Sequence, residues 1–351
     1  MAGDSKAKVI PLHGNSGRAA AQRRAGRAQA SRQHPSLLSE PDTHASADEI
    51  AAVVREIDLH RRGAADVEQT PNELAQKVSS VAEFLRHRFT GDYRVDEFGF
   101  DPHFNEAIVR PLLRFFFKSW FRVEVSGIEH LPDTGAALVV ANHAGVLPFD
   151  GLMASVAVHD EHPAHRDLRL LAADMVFDLP MVGAAARKAG HTVACTADAH
   201  RLLAAGELTA VFPEGYKGLG KRFKDRYKLQ RFGRGGFVAA ALRTKAPIIP
   251  CSIVGSEEIY PMLTDVRLLA RLFGLPYFPI TPLFPLAGPA GLVPLPSKWH
   301  IAFGEPIPTS HYEHADAEDP MVTFELTDQV RETIQQTLYQ LLAGRRNMFF
   351  G

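Results

Sequence analysis

Two cysteines, Cys195 and Cys251, are all the thiol chemistry the sequence offers, and neither has a CxxC or CxxxC partner. A disulfide framework is excluded, a cysteine-ligated metal has no ligand set, and a reducing compartment fits. Both lie in apolar, strand-like surroundings, which predicts buried packing residues rather than nucleophiles. Long apolar runs are missing too. No stretch of about 18 residues is free of both charge and proline, so a membrane-spanning helix is not expected. The longest uncharged stretch, Leu272 to Ser297, holds seven prolines between Pro276 and Pro296, and a helix cannot run through them. No apolar block with a cleavage site opens the chain, so no signal peptide is expected. Net charge is only -1, so any basic function must come from a local patch. A GxSxG nucleophile elbow is also lacking, which leaves a serine or cysteine hydrolase without a setting.

What is present divides into three regions. Residues 1–45 are rich in Ala, Gly, Ser, Gln and Arg, and seven cations from Lys6 to Arg32 face only Asp4. This predicts a disordered basic arm able to touch anionic lipid or nucleic acid; a merely solvated tail is the alternative. Residues 46–120 read as helical. Ser46 to Glu49 has capping-box spacing ahead of Ile50, Val53, Val54 and Ile57, and Thr70 to Glu73 repeats the signal ahead of Leu74, Val78, Val81 and Leu85. From Ala107 to Val123, Arg110, Arg114, Lys118 and Arg122 recur every four residues, which gathers them on an arc of about 120°. Aromatic and aliphatic residues fill the rest, so the segment predicts a membrane-interface helix whose basic heads reach lipid phosphates. A helix buried against the protein's own sheet is the alternative. Pro111 is tolerable there only if the helix starts close to it.

Residues 121–351 alternate strands and helices. Strands are expected at Ala137–Ala141, Leu168–Ala172, Thr192–Cys195, Leu208–Phe212, Ile248–Val254 and Trp299–Phe303. Helical patterns lie after Pro148, near Met181–Lys188, Asp198–Ala205 and Gly236–Thr244, and last from about Asp316 to Leu342. The expectation is an α/β fold with a mainly parallel central sheet flanked by helices. Ligands in such sheets gather at the carboxyl ends of strands, and both His143 and Glu214 fall just past such ends.

His143 and Asp150 are joined by a turn containing Gly145 and Pro148. A carboxylate so placed can orient an imidazole and stabilise the imidazolium formed when it takes a proton from an alcohol. With 16 histidines in the chain, the pair alone is weak evidence. Downstream, Phe212-Pro213-Glu214-Gly215-Tyr216-Lys217-Gly218 follows an apolar strand. Its glycines let the backbone approach a ligand, and Lys217 supplies a point charge. A simple strand-to-helix loop is the alternative. Then comes a basic run, Lys221, Arg222, Lys224, Arg226, Lys228, Arg231 and Arg234, opposed only by Asp225. Beside its glycines it suits the phosphates of a lipid head group or of coenzyme A. No nucleic-acid motif surrounds it, and a nucleic-acid partner is not expected.

Taken in order, Gly127-Ile128-Glu129 with Leu131-Pro132, then Asn142-His143, then Phe212-Pro213-Glu214-Gly215, then Ala246-Pro247-Ile248-Ile249-Pro250, the chain resembles the lysophosphatidic acid acyltransferase-like superfamily of glycerolipid acyltransferases over roughly residues 120–305. The resemblance implies acyl transfer from acyl-CoA or acyl carrier protein to a glycerolipid hydroxyl, as in phospholipid biosynthesis. His143 would be general base and Asp150 its orienter, with no acyl-enzyme, no metal and no cofactor beyond the acyl-CoA co-substrate. Asn142, Glu214, Gly215 and Lys217 would bind substrate, joined by Lys221, Arg222 and Arg226 of the basic run. Membrane lipids and acyl-CoA are the expected partners, at a peripheral site on the cytoplasmic face of a membrane. Two departures matter. Six residues separate His143 from Asp150, where most members have four, and this longer form looks like the branch holding some neutral-lipid acyltransferases. The block that carries an arginine for the acceptor phosphate is here Gly190 to Thr196, which has none; Arg201 is the nearest candidate. A mono- or diacylglycerol or glycolipid acceptor therefore stands as an alternative, as does a non-catalytic lipid-binding protein.

Overall fold

The computed structural model describes residues 94–350 other than 234. The basic arm, the two helices expected before residue 90, and Arg234 lie outside the described residues. A seven-stranded sheet forms the middle layer, built from β1 (Glu124–Ser126), β2 (Ala137–Ala141), β3 (Leu168–Ala172), β4 (Thr192–Val193), β5 (Leu208–Val211), β6 (Ile248–Val254) and β9 (His300–Phe303), in the order β1-β9-β6-β2-β5-β3-β4. Two more strands, β7 (Thr264–Asp265) and β8 (Pro279–Ile280), pair antiparallel outside it. Every pairing in the large sheet is parallel except β6 with β9. The strand of the sequence Ala137 to Ala141 is apolar at every position because both faces are covered. Val139, Ile249, Cys251 and Ile253 belong to one core layer. Their neighbours Leu138, Val140, Ile248 and Val254 belong to the other.

Helices fill both layers. One face carries α1, continuous from Pro102 to Trp120, and α2 (Phe149–Glu161). The other carries α5 (Thr196–Ala204), α7 (Gly236–Thr244) and α9 (Pro320–Gly344). Shorter helices α3 (Asp174–Asp178), α4 (Val182–Lys188), α6 (Tyr216–Leu219) and α8 (Arg267–Leu272) lie in the connections. Pro250 sits inside the central strand β6 without breaking it. Its carbonyl accepts from Gly304, so its missing N–H faces the same side, just beyond the pairing with β9 that begins at Cys251.

Helix α1 corrects three expectations. It starts at Pro102, capped by Asp101, well before Pro111. The turn ahead of the proline is wound as π-helix, Asn105–Val109, with Arg110 N–H bonded to Asn105 O. A widened turn relieves the clash a proline ring makes with the preceding turn. The basic stripe is not free for phosphates. Arg110 is buried and pairs with Glu106 and Asp167, Arg114 forks onto Asp160, and Arg122 donates to the carbonyls of Trp120, Pro296 and Phe349. Only Lys118 is well exposed. Finally, Leu113, Phe117 and Phe121 share a core with β2 and β6, so the border expected at residue 120 cuts a packed unit. Cys251 is buried as expected, whereas Cys195 is exposed at the start of α5.

Candidate active site

Strands β2, β5 and β6 run parallel, so the residues following each gather at one edge of the sheet. His143 follows β2, Glu214 follows β5 and Glu257 follows β6. His143 Nδ1 lies 2.7 Å from Asp150 Oδ2. Asp150 is fully buried in the first turn of α2 and also accepts from the backbone N–H groups of Ala144, at 2.9 Å, and Gly151, at 2.8 Å. Those donors fix the orientation of the carboxyl group. An ionised Asp150 can only accept, so the imidazole donates from Nδ1 and leaves Nε2 as its basic nitrogen. Nε2 has no hydrogen-bond partner among the described residues. The Phe212 ring lies against the imidazole, centroids 4.6 Å apart.

The six-residue spacer between His143 and Asp150 folds into a tight, externally braced loop. Gly145 has φ +95°, and a Cβ there would come within 2.4 Å of Ser256 O. Val146, a β-branched residue, sits at φ +63°, a rare conformation that persists only when neighbours over-determine it. Two neighbours do so: Val146 N–H donates to Leu219 O at 3.2 Å, and Val146 O accepts from the Tyr277 hydroxyl.

Other residues expected at the site divide by what they touch. The Asn142 side chain is fully buried and closes a two-bond ring with the Ile253 backbone, at 3.0 and 2.7 Å. Its amide stitches β2 to β6 rather than facing substrate. Glu214 is buried as well; one oxygen accepts from His143 N–H at 2.9 Å and the other from Gln230 N–H at 2.6 Å. Lys221 is inside too, 2.9 Å from Glu257 and 3.4 Å from Glu214. These carboxylates hold its ammonium above the usual lysine range despite the larger opposing effect of burial. Burial in turn pushes the Glu257 carboxyl up to about 7. Three polar groups expected to meet substrate thus form a scaffold under His143.

Lys221 and Gln230 both reach Glu214, so the segment between them is a loop whose two ends converge on the site. On it Arg222, Lys224 and Lys228 are exposed, and none forms an ion pair among the described residues. Arg226 stacks on Phe223 at 4.5 Å. Gly215 and Lys217 are exposed beside this loop, and Gly215 has φ +54° with open space where a Cβ would be. Gly218 differs: a Cβ would meet His143 O at 2.4 Å, so its smallness serves the His143 loop rather than a ligand. Arg201 is engaged by Glu97 and Asp198 and stacks on Phe98.

Glu257, Tyr277 and the ring of Phe212 were not legible as site residues. Phe212 lay within a recognised block. Tyr277 is the only tyrosine in the proline-rich stretch, a faint signal, and Glu257 gave none.

A family model described as Acyltransferase matches residues 122–254. The whole chain is 81% identical to an uncharacterized protein of Mycobacterium tuberculosis (strain H37Rv), covering 99% of it. It is 78% identical to one of Mycobacterium leprae, covering 98%. At 27% identity, 62% of the chain matches 60% of the Homo sapiens DGAT1/2-independent enzyme synthesizing storage lipids, so it spans somewhat under two thirds of that relative. Among solved structures, the 1-acyl-sn-glycerophosphate (LPA) acyltransferase PlsC of Thermotoga maritima is 20% identical with a TM-score of 0.45, over 69% of this chain and 82% of that one.

Proposed function

We propose that the chain, which matches an acyltransferase family model over residues 122–254, is a glycerolipid acyltransferase that moves a fatty acyl group from acyl-CoA or acyl carrier protein to a glycerolipid hydroxyl at a membrane surface on the cytoplasmic side. The observation that carries this reading is the His143–Asp150 pair, with the carboxylate buried and bonded three times over. His143 Nε2 takes the hydroxyl proton as the acceptor oxygen forms its bond to the thioester carbonyl carbon. The tetrahedral adduct then expels the thiolate, which recovers the proton from Nε2. Asp150 stabilises the imidazolium in between. Exposed Lys217, Arg222 and Lys224, with Arg226, offer charge to the phosphates of coenzyme A or of a head group.

A neutral acceptor, mono- or diacylglycerol, is the second reading. It is favoured by the six-residue spacer, by the engagement of Arg201 with Glu97 and Asp198, and by the distant relative named for storage-lipid synthesis. A panel of glycerol-3-phosphate, lysophosphatidate, other lysophospholipids, mono- and diacylglycerol with labelled acyl-CoA tests both readings. His143→Ala is expected to lower transfer about 10²- to 10⁴-fold. Undiminished transfer by that variant removes His143 as base, and no transfer to any acceptor removes the activity.

A further inference from the structure

The excursion between β7 and β9 has a lopsided surface. From Val266 to Ser297 it contains no acidic residue and only two cations, Arg267 and Arg271. Its one α-helix, α8, buries Ala270 but turns Leu268 and Leu272 outward, 76% and 74% exposed, with Phe273 following at 61%. Leu286, further along, is 90% exposed. Side chains this apolar and this exposed lose hydrophobic stabilisation in water unless something covers them. The base beneath is firm: Phe273 stacks on Phe278 at 5.9 Å, and Phe278 meets Phe284 at 5.7 Å. Arg267 and Arg271 form no ion pair among the described residues, so cations one turn apart flank leucines one turn apart.

From this we infer that α8 and the Leu286 turn are the face that docks on an anionic phospholipid bilayer, with Leu268, Leu272, Phe273 and Leu286 entering the acyl boundary and Arg267 and Arg271 meeting phosphates. A bilayer suits this chemistry because it accepts irregular apolar tips and supplies negative charge around them. No helix of the described residues is long and apolar enough to cross, so the contact is one of partial insertion. The sequence pointed to the apolar proline-rich stretch from Leu272 to Pro296 as well as to α1, and the arginines of α1 are neutralised internally. The docking face is also wired to the site. Tyr277, at the foot of the excursion, holds Val146 of the His143 loop and packs its ring where Gly220 leaves room. The inference deepens the membrane part of the proposed function and rests on it only for the meaning of that proximity.

The test uses the full chain with vesicles of phosphatidylcholine alone or mixed with phosphatidylglycerol. Wild type is expected to sediment with the mixed vesicles, and less so as salt is raised. Leu268→Asp/Leu272→Asp is expected to lower the bound fraction at least ~10-fold, while Leu112→Asp on α1 leaves it unchanged. Leu272→Cys in a Cys195→Ser background, carrying a polarity-sensitive dye, is expected to shift to the blue only when mixed vesicles are added. Binding by the double aspartate variant equal to wild type overturns the inference. So does a dye already shielded without lipid, which would mean that a second copy or another stretch of this chain covers the face. His143→Ala is expected to bind vesicles normally. The aspartate variant is expected to keep transfer to detergent-dispersed acceptor, so loss of docking and loss of chemistry are read separately.

Discussion

Two basic stretches, helix α1 and the loop after Gly220, look alike in the sequence and differ in the folded molecule. On α1 Arg110 and Arg114 turn toward carboxylates, Glu106 of the helix itself and two delivered by other elements. Asp160 comes from the end of α2 and Asp167 from the approach to β3. On the loop, Arg222, Lys224 and Lys228 keep their charge in solvent, and Lys221 alone is drawn inside. A periodic stripe of cations states where charge lies on a helix but is silent about acids forty or fifty residues away. The loop kept its cations free because its only local acid is Asp225 and its ends close on Glu214.

That contrast can be strained at several points. The largest effect is expected at Lys221, the one loop cation that behaves like those of α1. Lys221→Met leaves Glu214 and Glu257 without their shared cation and should cost about 3–5 kcal/mol in unfolding free energy. Activity should fall with it, because Glu214 holds the His143 backbone. Its pH dependence sharpens the point. Glu257 has its folded value raised from 4.5 to about 7, so its stabilising contribution is full below 4.5 and is lost as pH rises through 7. Denaturation of wild type and Glu257→Gln across pH 4 to 8 should show that slope in the first and a flatter line in the second. Equal slopes would remove Glu257 from the account.

Arg110→Met comes next. It unpairs Asp167, which reaches solvent, and leaves Glu106 to Arg114, so a loss of about 1.5–3 kcal/mol is expected in chemical denaturation. Vesicle binding should stay intact; weakened binding without weakened stability would return α1 to the membrane. The smallest effect belongs to the exposed loop. Arg222→Glu should leave stability within about 0.5 kcal/mol of wild type and raise the KM for acyl-CoA about fivefold. A lowered kcat at unchanged KM would mean that Arg222 acts on the reaction rather than on the phosphates.

Much of the sheet could be read in advance because its buried parallel strands are apolar runs, unbroken in β2 and interrupted only by Ser252 in β6. The reversed direction of β9 against β6 could not, since a four-residue strand carries no mark of orientation in its composition. Strand β1, three residues at the sheet's edge with only Val125 half-buried, left too faint a pattern to find. At the site, His143 and Asp150 were legible because they are near neighbours in the chain. Asn142 and Glu214 were found in the right place but for another task, since only the packed structure shows their polar atoms already committed to Ile253 and to His143. Cys195 misled because its expected strand ends two residues earlier, at Val193, and α5 begins beside it.

The braces on the His143 loop have a bearing on the order in which the protein becomes competent. His143 and Asp150 emerge from the ribosome almost together. Leu219, Ile253 and Tyr277, which hold Val146 and Asn142 in place, are made much later. A nascent chain stopped between residues 150 and 219 carries both members of the dyad and none of these supports. The proposed capacity to activate a hydroxyl is thus acquired late in synthesis, after the sheet edge that shapes it has closed.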